Sequence, residues 1–315
     1  MPLVSGKVLL EVANEHNFAI GAFNFNNMEF LRAILEAAEE EEAPVFIQTT
    51  ESALKYTGIE YLAGMVHAVK DKYSIPFALH LDHGKNLESI LLAVRHGYTS
   101  VMIDYSDKPF EENLKITKEV VSICAPLGIA VEAELGKLEG IEDNVVSREK
   151  VLVNPEEAKE FVDKTGVDAL APAVGTVHGV FKFKGKPTLD FERLKKVKEL
   201  TGIALVLHGA SGVYPEYIEE INKYGGEIAG ATGLPEEDVK KAVELGINKI
   251  NTDTDLRLAF IATLRKLLAE EKKNTDPRKL LKPAMEEVKE VVKRRIRLYK
   301  SQGKAHLIKA SKVFS

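Results

Sequence analysis

Eight short apolar runs alternate with longer amphipathic segments along the chain, and this alternation constrains the fold more than any other feature. The runs are residues 18–25, 44–50, 76–83, 99–104, 129–135, 168–174, 203–209 and 247–253. Helical patterns fall between them at 28–42, 59–73, 86–96, 110–125, 155–165, 190–200 and 235–245, with another beginning near 255. Strands joined by helices pair in parallel. Many of the runs are apolar on both faces, as expected when helices cover one side and the sheet closes on itself on the other. Unbroken alternation favours a (β/α)8 TIM barrel over an open doubly wound sheet. The 315 residues exceed a bare barrel of about 250. The expectation is therefore one domain over 1–315, an α/β barrel to about 265 followed by a C-terminal helical extension over about 266–315. That extension should be broken at Pro277 and Pro283, and it suits a contact between subunits of a homo-oligomer.

Composition narrows the function. Hydrophobic residues make up 45% of the chain and charged residues 29%, which excludes disordered and collagen-like architectures. A net charge of −5 argues against general nucleic-acid binding. The runs EEEE at 39–42 and KRRIR at 293–297 read as solvated helix faces. There is no secretory signal pattern and no apolar stretch of the ~18 residues that a membrane span needs, so the expected location is the cytoplasm. The one cysteine, Cys124, can form neither an internal disulfide nor a multi-cysteine zinc site, and reads as a buried thiol.

In a parallel barrel, chemistry sits at the C-terminal ends of the strands. Polar groups that end apolar runs are Asn24, Thr50, Asp82 with His83, Asp104, Glu132 with Glu134, His208, and Asn251 with Asp253. Of the eight histidines, His83, His96, His178 and His208 precede a glycine. His96 closes a helical pattern, with Gly97 as the expected C-cap. The other three follow strands three, six and seven. Three imidazoles suit a divalent transition metal, zinc first, with a position left open for substrate or water. Spacing leaves open whether they share a metal or are separate hydrogen-bonded rim histidines. Asp82 and His83 are neighbours and can reach one site if the chain turns at His83-Gly84. HGASG (208–212) and NTDT (251–254) end strands seven and eight, where barrels of this kind commonly bind phosphate. Asp253 and Thr254 also suit capping of the last helix. The long segments 136–154, 175–189 and 212–234 exceed plain connections.

The ordered motifs LHLDHG, VEAELG, VGTVHGVFK, LVLHGASG and KINTDTDLR, from AFNFNNMEFL near the start to DPRKLLKPA near the end, resemble the class II, metal-dependent fructose-1,6-bisphosphate aldolases over essentially the whole chain. The resemblance implies Zn²⁺ on His83, His178 and His208, with Asp104 and Glu134 as a second or resting metal position. It implies that Asp82 handles the C4 hydroxyl proton and that a glutamate on the loop after strand five, matching Glu142, exchanges the proton on the triose phosphate. Glu139 and Asp143 are neighbouring candidates for that role. It further implies that Lys182, the Gly179 and Gly209 backbone, Ser211, Asp253 and Thr254 hold the dihydroxyacetone phosphate end. Asn24 and Asn251 would lie near the reacting carbons, with Thr50 where relatives usually have serine. A monovalent cation, Na⁺ or K⁺, is implied on carbonyls of Val177, Gly179 and Ser211. Arg278 matches an arginine that reaches a neighbouring subunit's distal phosphate, in a dimer or tetramer acting on a phosphorylated sugar.

Three alternatives remain at this level. A Schiff-base aldolase needs a lysine inside the barrel, and Lys249 lies in a strand on the face of Asn251 but deeper. Tagatose-1,6-bisphosphate aldolases share the three histidines. A barrel that keeps metal and phosphate sites for binding alone would not need the proton-transfer groups.

Overall fold

The computed structural model describes residues 2–137, 139–142, 145–147, 151–178 and 188–308, with the backbone alone described at 139–142, 145–147 and 177–178. Its centre is a closed barrel of parallel strands: β1 (Ile20–Asn24), β2 (Val45–Thr50), β3 (Phe77–Gly84), β4 (Ser100–Ile103), β5 (Ala130–Leu135), β6 (Ala169–Pro172), β7 (Ala204–Leu207) and β8 (Ile247–Thr252). Each strand pairs with its sequence neighbours, and β8 returns to β1 in the register Ile20↔Lys249, Ala22↔Asn251. The expected fold class is observed.

The helices are α1 (Gly6–Glu15), α2 (Met28–Glu40), α3 (Glu51–Thr57), α4 (Ile59–Val69), α5 (Leu87–Arg95), α6 (Phe110–Cys124), α7 (Pro155–Thr165), α8 (Phe191–Thr201), α9 (Pro215–Lys223), α10 (Glu236–Glu244), α11 (Thr254–Glu270) and α12 (Pro277–Leu298). Local chemistry starts several of them in the same way. Asn27, Asn86, Asn154 and Asp190 each accept a first-turn backbone N–H, satisfying a donor that the helix leaves open. His96 ends α5 and Gly97 follows at φ 76°, as its position after the helix anticipates. Cys124 is fully buried at the end of α6, and burial pushes its thiol up to about 11, which suits a packing role. Among the described residues no helix is long and apolar enough to cross a membrane.

Helix α1 has no counterpart in the sequence reading. Ser5 caps it, and it plugs the base of the barrel. Leu9, Leu10, Val12 and Ala13 pack with Phe18, Ile20 and Phe46 and with the small inward residues Ala78, Ala130, Ala169 and Ala204. Those alanines make room for the plug. A Cβ on Gly6 would stand 2.7 Å from the Ser100 Cβ, so the close approach of α1 needs glycine at that point.

Two expectations about the C-terminus change. Pro277 starts α12 at its first turn, but Pro283 lies inside this continuous helix and does not break it. The acidic and basic runs are also not independent solvated faces. Glu40 pairs with Lys289 and Lys293, and Glu41, buried, pairs with Arg297 across the α2/α12 contact. The extension therefore lies back over α2 and α11, burying Ala284, Met285, Val288, Val291, Val292, Arg295 and Ile296. The segment 212–234 contains α9, and α11 runs past the expected barrel end at 265 to Glu270.

Leu9 is fully buried at the end of the barrel opposite the strand C-termini. Leu9→Ala should cost about 2–5 kcal/mol, read as a lowered urea midpoint, with metal content unchanged. Loss of metal with no loss of stability would show that α1 is more than a plug.

Candidate active site and metal centre

The C-terminal ends of the strands bring Asn24, Thr50, Asp82, His83, Asp104, Glu132, Glu134, His208 and Asn251 to one mouth, all of them buried. Asp82 and His83 are consecutive and reach it together because His83 adopts φ 50° and the β3/β4 register shifts between Leu81 and Gly84. Left-handed backbone at a non-glycine residue is uncommon and concentrates at functional sites. Gly84 completes the bend, since a Cβ there would stand 2.7 Å from the Met102 carbonyl oxygen.

Nε2 of His83 and Nδ1 of His208 face each other at 3.1 Å, with the rings edge to face. Behind each ring stands a carboxylate. His83 Nδ1 lies 2.8 Å from Asp104 Oδ2, and His208 Nε2 lies 2.9 Å from Glu132 Oε1. A carboxylate takes an N–H, so each pair directs the acceptor nitrogen of the neutral ring toward the other ring. Two acceptors face to face call for a cation between them. Ligand atoms of Asp82, His83 and His208 lie within 4.8 Å of one another, as do those of His83, Asp104 and Glu134. Glu134 Oε2 is buried with no hydrogen-bond partner among the described residues, 3.7 Å from His208 Nδ1. This donor set fits a divalent metal ion.

Titration reflects the same geometry. Burial disfavours charge on His83, yet Asp82 and Asp104 outweigh it and raise the imidazole to about 10. His208 is also raised against burial, through Glu132. Burial beside Asp104 lifts Glu134 to about 7. Burial would raise Glu132 and Asp104 too, but Lys249 with His208, and His83 with Lys85, hold them below the usual carboxylate range. His80 is driven down to about 3 by burial and by Lys249, so it stays neutral.

Lys249 sits beneath the mouth. Its Nζ lies 2.9 Å from Glu132 Oε2 and donates to Asn251 Oδ1 at 2.8 Å. Asn251 Nδ2 donates to Asp82 Oδ1 at 3.0 Å. The deeper position expected of Lys249 is observed, and the lysine acts as a counter-ion. Gln48, His80 and Lys85 were missed in the sequence. Gln48 Nε2 donates to Asn24 Oδ1 at 2.7 Å and to Asp82 Oδ2 at 3.1 Å, and Lys85 Nζ donates to Asp104 at 2.6 Å. For Gln48 and His80 the signal is the period of two: Gln48 shares a face with Thr50, and His80 with Asp82.

Thr50 also has a structural role at the mouth. Thr50 caps α3, its Oγ1 accepting from Ala53 N–H at 3.3 Å. Asp253 occupies the N-cap position of α11 without a side-chain cap and instead pairs with Arg257, contrary to the capping expectation. Gly209, at φ 63°, and Ser211 follow β7, while Thr254 opens α11. Arg278 is 89% exposed on the first turn of α12 and pairs with Asp276. Gly179, Lys182 and Asp143 lie outside the described residues. The backbones of Glu139, Glu142, Val177 and His178 belong to a small sheet beyond the barrel, in the register Glu139↔Val177 and Gly140↔His178. That sheet puts the loop after β5 beside the loop after β6.

Comparison with known proteins covers nearly the whole chain. The profile described as "Fructose-bisphosphate aldolase class-II" matches residues 4–227 and 228–304. A fructose-bisphosphate aldolase of Helicobacter pylori is 52% identical over 305 residues, covering 96% of this chain and 99% of that protein. One from Thermus caldophilus is 52% identical over 305 residues, covering 96% and 100%. The crystal structure of the YdjI aldolase from Escherichia coli K12 superposes with TM-score 0.79 at 33% identity, covering 96% and 99%.

Glu132 orients His208 and touches no open face of the mouth. Glu132→Gln should weaken metal retention by about 10–100-fold in competition with a chelator. Unaltered retention would remove the orienting role.

Proposed function

The chain belongs to the class II fructose-bisphosphate aldolases, and we propose from that membership that His83, His178 and His208 hold its catalytic metal ion, with Asp104 and Glu134 as a second or resting position. The enzyme is a lyase that cleaves fructose 1,6-bisphosphate reversibly to dihydroxyacetone phosphate and glyceraldehyde 3-phosphate, and its family depends on a divalent metal. Zinc is the ion we propose, because imidazole donors with nearby carboxylates suit it. The observation that carries this reading is the facing pair of ring nitrogens on His83 and His208, with a carboxylate behind each ring. When bound, the ion supplies a positive charge that polarises the ketone and offsets the negative charge developing as C3–C4 breaks.

The residues of the chain supply the proton transfers. Asp82, steered by the Gln48 and Asn251 amides, takes the C4 hydroxyl proton. The C4–O bond becomes a carbonyl, C3–C4 breaks, and its electron pair stays with the dihydroxyacetone phosphate half. Glu142, on the loop after β5, then delivers a proton to C3. Asn24 and Asn251 orient the hydroxyls near the reacting carbons, with Thr50 beside them. The Gly179 and Gly209 backbone, Lys182, Ser211, Asp253 and Thr254 hold one phosphate. Arg278 reaches the other phosphate in a neighbouring subunit of a dimer or tetramer, and its exposure on the first turn of α12 suits such a reach. Carbonyls of Val177, Gly179 and Ser211 would take Na⁺ or K⁺. We place the enzyme in the cytoplasm.

Asp82→Asn should cut turnover by about 10²–10⁴-fold with metal still bound. Near-wild-type turnover would refute the assignment. Chelator treatment should abolish cleavage, and borohydride with substrate should trap no adduct. A trapped adduct on Lys249 with chelator-resistant activity would sink the metal mechanism. Parallel rates on fructose and tagatose bisphosphates test the sugar preference.

A further inference from the structure

The loop after β7 is held from below by two buried charges that the chemistry described above does not use. Asp255 and Arg295 are both fully buried. Asp255 Oδ2 accepts the Gly212 N–H at 3.0 Å, and its Oδ1 accepts the Val213 N–H at 2.8 Å. Arg295 Nη2, arriving from α12, donates to the same Oδ2. The guanidinium lies directly under the loop, where a Cβ on Gly212 would stand 2.4 Å from Nη2. Its carbon also stands 4.9 Å from the centroid of the Tyr214 ring, and the Arg294 guanidinium carbon lies 3.7 Å from the same centroid. From the other side the Leu234 N–H donates to the Ser211 carbonyl at 2.9 Å.

What this clamp holds is strained. Val213 has φ 48°, a left-handed conformation that a β-branched residue avoids. Such a conformation persists where the surroundings over-determine it, and it clusters at ligand clamps. Burying a carboxylate and a guanidinium is itself costly, and apolar residues of similar volume can often replace such a pair without loss. A staple for α12 alone would need neither the strained valine nor two backbone N–H groups gathered on one carboxylate.

We propose that Asp255 and Arg295 are positioning residues for phosphate: through the Gly212 and Val213 N–H groups they fix the Gly209–Ser211 stretch in its binding conformation. This rests on the reading that Gly209 and Ser211 hold a substrate phosphate. The clamp acts on binding and touches no reacting atom. Its loss therefore falls on KM and on competition by inorganic phosphate, with kcat at saturation and metal content little changed.

The test uses the full-length, metal-loaded enzyme, with inorganic phosphate as a competitive inhibitor and fructose 1,6-bisphosphate as substrate. Ser211→Ala serves as the direct reference. Arg295→Met should raise both the phosphate inhibition constant and KM by about tenfold or more, the loss of one charge-assisted hydrogen bond. Val213→Gly added to Arg295→Met should recover most of that loss, because glycine adopts φ 48° without strain and needs no clamp. If Arg295→Met does not fold, Arg295→Lys, which keeps the charge but loses the planar fork, should show a smaller rise in the same two constants. A lowered melting temperature with unchanged KM and phosphate inhibition, while Ser211→Ala weakens both, overturns the clamp and leaves the phosphate site standing. Unchanged constants in every variant, Ser211→Ala included, overturn the phosphate reading and the proposal with it.

Discussion

Two imidazole nitrogens 3.1 Å apart, each ring backed by a carboxylate, impose a charge deficit that the mouth of the barrel is built around. Asp104 has Lys85 and Glu132 has Lys249 as cationic partners. Asp82 is held by the neutral amides of Gln48 and Asn251, and Glu134 Oε2 has no hydrogen-bond partner among the described residues. Among the described residues neither of these two buried carboxylates meets a lysine directly, and burying a carboxylate without a cation is costly. A divalent ion held at this mouth would meet that deficit. The raised affinity of His83 and His208 for protons expresses the same deficit. A metal ion held there would compete with protons for the same nitrogens, so the polar mouth and its cation pose one problem.

The barrel solves that problem by dividing its interior. The base is apolar, filled by α1 and by alanines on four strands, and it excludes water from below. Lys249 sits at the boundary, its ammonium 5.6 Å from the Phe46 ring that belongs to the base and 2.9 Å from Glu132 that belongs to the mouth. A low-dielectric floor strengthens every charge interaction above it. It also explains why the network is continuous: Lys249 meets Glu132 and Asn251, Glu132 meets His208, and Asn251 meets Asp82. A side chain left out of such a chain would carry the full cost of its burial.

Much of this was legible in the sequence because it follows from period and punctuation. The strands appear as apolar runs, and the site appears as the polar residues that end them. The remainder depends on tertiary contact. Gln48 and His80 lie inside apolar runs, where alternation marks a face but does not say whether that face meets core or site. The sequence allows a turn at His83-Gly84, but residue type alone does not assign the left-handed conformation to the histidine, since most non-glycine residues avoid it. Helix α1 was missed because its role is to fill a hole that exists after the barrel closes. Pro283 reads as a breaker, yet the packed face of α12 overrides it and the helix continues. The acidic run at 39–42 and the basic run at 293–297 each resemble a solvated face alone, and their pairing needs the two helices to be adjacent.

That adjacency ties the C-terminal helix to the barrel by two forces of different strength. Exposed ion pairs such as Lys289 with Glu40 contribute little individually. Docking of α12 rests instead on its apolar face, from Ala284 to Ile296, against α2 and α11. Arg295 is the charged member of that face, and a guanidinium there weakens the packing unless a carboxylate meets it. Asp255 does meet it, and the same carboxylate gathers two N–H groups of the loop after β7. The energy of helix docking is thereby coupled to the shape of that loop, because α12 cannot leave without stranding Asp255. A helix outside the eight β/α units thus reaches the loop after β7 through one buried side chain.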